Sequence, residues 1–341
     1  MNKHLLVETA RALAADDKGL LAMDESTPTC DKRFAKWGIA QTVERRRAYR
    51  DMIVTTQGLG QSISGAILFD ETIRQQTRDG TPFVRILTNA GIMPGIKVDL
   101  GAKDLAGHAG EKITEGLDGL RDRLKDYIAL GARFAKWRAV ITIGNGIPSS
   151  GCIEANAHAL ARYAGLCQEA DLVPIVEPEV LMDGDHDLER CGEVTELVQR
   201  TVFDHLCAQR VLLEGMILKP NMVVPGSACP MQVSVDEVAE ATVRCLLRTV
   251  PAAVPVVALL SGGQSSELAT VRLNAMHVRS KSCLPWALTF SFARAIQEPA
   301  LELWHGKDAQ VPVAQQALLH RARCNQAARR GEYRHNPTAP S

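Results

Sequence analysis

No surplus of one charge sign is present, because 39 basic and 39 acidic side chains cancel across 341 residues. That balance argues against a nucleic-acid surface or a membrane-adsorbed face. It leaves room for a local patch that binds a small anion. Long hydrophobic runs are also missing. The longest, Ala252–Leu260, is interrupted by Pro255 and falls well short of the ~18 residues of a membrane span. The opening MNKHLLVETA reads as an amphipathic helix without a signal-peptide core or cleavage site, so the expected location is the cytoplasm. The nine cysteines include no CxxC pair, which points to free thiols in a reducing compartment. No strand candidate is followed by GxGxxG, so a dinucleotide site is unsupported. No composition break resembles a linker, and a single domain over 1–341 is expected.

What is present is an alternation. Short apolar runs read as strands at Gly19–Met23, Gly65–Phe69, Gly95–Val98, Arg133–Val140, Leu172–Glu177, Leu212–Leu218, Val254–Leu260 and Trp286–Ser291. Amphipathic patterns read as helices at Ile113–Leu130, Ala155–Glu169, Leu188–Gln209, Val235–Arg248, Ser265–Met276 and Val311–Arg330. Ser234 and Glu237 form a capping-box signature that marks one helix start. The connection around Asp70–Thr81 has no clear pattern. Gly331–Ser341 is polar with two prolines and is expected to be loose. Eight strands alternating with helices predict a parallel sheet, and eight favours the (β/α)8 TIM barrel. A doubly wound open sheet is the alternative.

Charged residues stand at the ends of these apolar runs. Lys97 and Asp99, Lys136 and Arg138, and Glu177 and Glu179 are each two residues apart. On a strand, such pairs share a face. In "EGMILKPNMVVPG" an apolar run ends in Lys219. One strand-end charge reaching solvent is unremarkable. Four such strands converging on a barrel mouth would instead place Lys97, Lys136, Arg138 and Lys219 opposite Asp24, Asp99, Glu177 and Glu179. A desolvated lysine beside another cation has a lowered amine pKa. Its neutral amine can attack a carbonyl and form a Schiff base, with carboxylates moving the protons. The other cations suit a phosphorylated substrate. Glycines in "LLSGGQSS" and the Ser291–Arg294 stretch follow the last two strands, where phosphate sites of this fold often lie. "DGDHD" (residues 183–187) lacks regular calcium-ligand positions and reads as a solvated turn rather than a metal site. Cys30 reads as a plain buried thiol.

"LLAMDEST", "GIKVDLG", "FAKWR", "VPIVEPE", "DGDHDL", "LKPNMVVPG", "LSGGQS" and "PWALTFS" together resemble the class I, Schiff-base fructose-1,6-bisphosphate aldolases. The resemblance implies a metal-free, cofactor-free lyase of glycolysis and gluconeogenesis, usually a homotetramer. It assigns Lys219 to the Schiff base, Glu177 to carbinolamine proton transfer and Asp24 to the C4-hydroxyl proton. Lys136 is assigned to proton transfer and substrate contact, with Glu179 and Arg138 as charged neighbours. Ser261, Gly262, Gly263, Ser291 and Arg294 match one phosphate site, and Ser26, Thr29, Arg33 and Lys97 the other. Thr29 and Pro28 depart from the family's serine and glycine, and Phe292 and Ala293 from its tyrosine and glycine. The sequence also stops soon after Tyr333, short of the family's longer tail with its terminal tyrosine. Alternative readings are a related aldolase for sedoheptulose or tagatose bisphosphate, a non-catalytic scaffold on the same fold, and a metal-dependent aldolase.

Overall fold

The computed structural model describes residues 1–334. Its strands are β1 (Gly19–Met23), β2 (Ile63–Leu68), β3 (Met93–Lys97), β4 (Ala102–Asp104), β5 (Lys112–Thr114), β6 (Phe134–Ile141), β7 (Val173–Val180), β8 (Ile217–Leu218), β9 (Val256–Leu259) and β10 (Ala287–Phe292). Eight of them close into a barrel in the order β1-β10-β9-β8-β7-β6-β3-β2, and every barrel pairing is parallel. Helices connect the strands, so the (β/α)8 expectation holds and the open sheet falls away.

Two layers of apolar packing follow from strand alternation. Trp137 points outward from β6 and lies against Tyr163 of the helix Ser150–Glu169, with ring centroids 5.5 Å apart. Leu20, Phe134, Ile175, Ile217 and Val256 form the inner cluster, which Leu6 and Ala10 of the helix Lys3–Ala12 join. That helix therefore plugs the N-terminal end of the barrel and leaves the other end open.

Gly95 shows how tight the inner layer is. A Cβ added there would lie 2.1 Å from the Phe134 ring. Gly95→Ala is expected to destabilise the protein by about 1–3 kcal/mol through overpacking, read as a lower urea midpoint. An unchanged midpoint would mean that the ring has room to retreat.

Two sequence expectations change. The run Leu212–Leu218 is mostly not strand: Leu213–Gly215 is a 3-10 turn, and only Ile217–Leu218 joins the barrel. Gln168 replaces the missing ladder. Its side chain accepts from the Leu212 amide at 2.8 Å and donates to the Leu212 and Gly215 carbonyls at 2.8 and 3.2 Å. The helix expected over Ile113–Leu130 starts only at Leu120. Before it, β5 pairs antiparallel with β4, and Gly116 and Gly119 take φ values of +128° and +67° that end any helix attempt. The connection around Asp70–Thr81 contains a short helix, Asp70–Ile73, and an isolated bridge from Gln76 to Pro82. Helices Thr27–Lys36, Val43–Val54, Phe83–Asn89 and Arg294–Trp304 are not among those read from the sequence. The capping box at Ser234 and Glu237 is formed on both sides.

Of the stretch expected to be loose, the described part is held at Tyr333, whose amide donates to Asn274 Oδ1 at 2.9 Å. Residues 335–341 lie outside the described residues.

Candidate active site

The open end of the barrel holds a cleft of about 660 Å3. Lys219 follows directly on β8, and its amide still donates to the Val176 carbonyl at 2.8 Å. Asn221, two residues on, accepts from the Val180 amide at 3.0 Å and donates to Thr195 Oγ1 at 3.2 Å. The backbone on either side of Lys219 is therefore tied down. Gly226 closes the same segment against the loop after β7, where its amide donates to the His186 carbonyl at 2.7 Å.

Four charged side chains then alternate in sign across the cleft floor. Lys219 Nζ lies 3.0 Å from Glu177 Oε1, and Lys136 Nζ lies 3.1 Å from Glu177 Oε2. Lys136 Nζ also lies 2.8 Å from Asp24 Oδ2. Lys136, Glu177 and Lys219 are only 3–4% exposed. The two lysines thus do not face each other bare, because Glu177 stands between them. Burial opposes ionisation of Asp24, but Lys136, Lys219 and Lys97 outweigh it and hold that carboxyl well below its ordinary range. For Glu177, burial is likewise outweighed by Lys136, Lys219 and Arg138. Lys136 is pushed up despite its burial by Asp24, Glu177 and Asp99. All these directions favour charged partners on the floor.

Arg138 and Glu179 form an ion pair at the rim. Lys97 Nζ lies 3.4 Å from Asp99 Oδ1. Asp99 itself does not line the cleft as expected, since it is also occupied by the amides of Gly101 and Arg138, each at 3.2 Å.

Two wall regions suit anions. On one, Gly262 and Gly263 hold φ of +55° and +90° in the turn closed by the Gln264 amide and the Ser261 carbonyl at 3.0 Å. Among the described residues, neither glycine amide has a partner. Ser291 and Arg294 lie beside this turn in the cleft lining. On the other wall, Ser26 Oγ and Thr29 Oγ1 are 3.1 Å apart at the start of the helix Thr27–Lys36, near Arg33 and Lys97. Pro28 is accommodated in that helix's first turn, where no N–H is needed. Ala293 has a negative φ of −102° and lines the cleft, so its methyl is carried without left-handed strain.

A family model for class-I fructose-bisphosphate aldolases matches residues 5–340. The chain belongs to that family. A probable class 1 fructose-bisphosphate aldolase of Xanthomonas campestris is 57% identical over 98% of this chain and 100% of its own length. The cytosolic fructose-bisphosphate aldolase 4 of Arabidopsis thaliana is 52% identical over 96% of this chain and 84% of its own. The solved structure of fructose-bisphosphate aldolase from Plasmodium falciparum, in complex with TRAP and a small-molecule inhibitor, superimposes with a TM-score of 0.96 at 48% identity. That match covers 98% of this chain and 96% of the solved one.

Some features of this aldolase cleft were not read from the sequence. Glu25 is held by Arg33 and Arg50, each at 2.5 Å, and by Gln297 Nε2 at 3.0 Å. Strand alternation would turn Glu25 away from Asp24, but β1 ends at Met23 and both residues line the cleft. Lys32, Met182 and Asp183 also line it. The "DGDHD" turn is therefore not wholly solvated: His186 is buried and its carbonyl is bonded to Gly226. Among the described residues no cluster of potential metal ligands occurs. Cys30 is buried, and that burial pushes its thiol up to about 11.

Proposed function

We propose that this chain reversibly cleaves fructose 1,6-bisphosphate to dihydroxyacetone phosphate and glyceraldehyde 3-phosphate through a Schiff base on Lys219. The observation that carries the mechanism is the alternating row Lys219–Glu177–Lys136–Asp24. Glu177 takes a proton from the Lys219 ammonium, and the freed amine attacks the C2 carbonyl. The carbinolamine hydroxyl leaves as water with a proton returned by Glu177. The resulting protonated imine accepts the C3–C4 bonding electrons, while Asp24 removes the C4-hydroxyl proton. Glyceraldehyde 3-phosphate departs and leaves an enamine. Asp24 gives its proton to C3 of the enamine, and water hydrolyses the resulting imine, which releases dihydroxyacetone phosphate and restores Lys219 and the Asp24 carboxylate. Lys136, between the two carboxylates, keeps both charged and in place. Ser261, Gly262, Gly263, Ser291 and Arg294 hold one phosphate; Ser26, Thr29, Arg33 and Lys97 hold the other. Arg138 and Glu179 line the substrate's path. Family membership supports work as a homotetramer in the cytoplasm, and among the described residues no helix is long and apolar enough to cross a membrane.

The test is reductive trapping. Incubation with dihydroxyacetone phosphate and borohydride, followed by peptide mass mapping, is expected to place the adduct on Lys219 and nowhere else. An adduct on another lysine, or none in folded active protein, would reject the mechanism. Comparing kcat/KM for fructose, sedoheptulose and tagatose bisphosphates then identifies the preferred sugar.

A further inference from the structure

Arg272 is the seventh residue of the helix Ser266–Ser280, which follows the glycine turn. It is 5% exposed, and burial alone pushes its guanidinium below its ordinary value. Its recorded hydrogen bond runs from Nη1 to Gln264 Oε1 at 2.8 Å, while Nε is buried without a partner. Among the described residues no carboxylate pairs with it. Other buried arginines are treated differently. Arg329 donates to the carbonyls of Ala14, Lys18 and Leu288. Arg321 reaches the Ser266 carbonyl, Thr270 and Glu267. A buried cation with a single neutral acceptor is a poor device for stability, because its desolvation is hardly offset.

Its one partner stands at an informative place. Gln264 is buried, its amide closes the turn onto the Ser261 carbonyl, and its Nε2 faces Met222 Sδ at 3.6 Å. Gln264 therefore joins the glycine turn to the segment just after Lys219. Holding Gln264 by its side chain holds the turn while leaving the Gly262 and Gly263 amides free. We infer that Arg272 is a positioning residue for phosphate: it clamps Gln264 so that the Ser261–Gln264 turn keeps its two glycine amides aimed at an anion. This inference rests on the proposed function for its substrate.

The experiment compares Arg272→Met, Gln264→Leu and their double variant with wild type. It reads the Kd for inorganic phosphate, KM and kcat for fructose 1,6-bisphosphate, and thermal stability. Arg272→Met is expected to weaken phosphate binding and raise KM by about tenfold, the scale of one charge-assisted hydrogen bond. It should leave kcat within about twofold and the thermal midpoint unchanged or higher. The double variant is expected to be no weaker than Gln264→Leu, since the residues act in series. An unchanged phosphate Kd in folded Arg272→Met overturns the inference, whatever happens to stability. So does a tenfold loss of kcat at constant phosphate affinity. If Arg272→Met does not fold, Gln264→Leu decides by the same reading. Phosphate binding is read without turnover. Wild type that binds phosphate with this Arg272 dependence but cleaves no sugar would reject the proposed function alone.

Discussion

Lys219→Met is expected to lower kcat by about 10^5-fold, the scale seen when a covalent nucleophile is removed. The physical reason is that, among the described residues, no other amine is placed to replace it. Lys136 is the nearest candidate, but it is held between Asp24 and Glu177 at 2.8 and 3.1 Å and is pushed toward its charged form. Losing Lys219 also takes one cation from Glu177, so part of the effect could come from a rearranged floor. Lys219→Arg separates the two. A guanidinium keeps the positive charge beside Glu177 but does not deprotonate to become a nucleophile. Both variants are expected to lose activity and borohydride trapping, while both still bind inorganic phosphate. Cleavage at more than a hundredth of the wild-type rate by Lys219→Arg would mean that the charge, and not an imine, does the chemistry.

Lys136→Met is the second large effect, and it acts on stability as well as rate. Removing this cation strands two buried carboxylates that share it, and breaking such a pair costs about 3–5 kcal/mol. The pH dependence follows from linkage. Asp24 and Glu177 have folded-state pKa values depressed below their ordinary 3.8 and 4.5. Their contribution is therefore complete above those values and is lost as pH falls through the folded ones. Lys136 is raised above its ordinary 10.5, so its contribution is complete below that value and is lost as pH rises through the folded one. The deficit of Lys136→Met should be largest between about pH 4.5 and 10.5 and should shrink in acid. Urea unfolding at a series of pH values measures it. A deficit that stays constant down to pH 3 would show that packing, and not charge pairing, sets the loss. The kcat of this variant is expected to fall by about 10^3-fold or more, within the range of proton-transfer catalysis and its electrostatic support.

Seven of the eight strand runs, the helix start at Val235 with its capping box and the expected mouth residues other than Asp99 were legible because their signals are local. A strand's faces repeat every two residues, so Lys136 and Arg138 could be assigned to one side and Trp137 to the other from spacing alone. The capping box needs only Ser234 and Glu237, within one turn of helix. Tertiary structure decided matters that depend on residues far apart in the chain. Gln168 satisfies the backbone at Leu212 and Gly215 and so shortens β8 to two residues; no pattern in Leu212–Leu218 announces that. Asp99 faces the right way by spacing but is captured by neighbouring amides. Glu25 enters the cleft because β1 ends one residue before Asp24, and Arg50 and Gln297 hold it there. The residue types and spacing determined which charges could meet at the barrel mouth. Only closure of the barrel decided which of them share a partner, because Coulombic pairing and desolvation depend on distances that sequence separation does not encode.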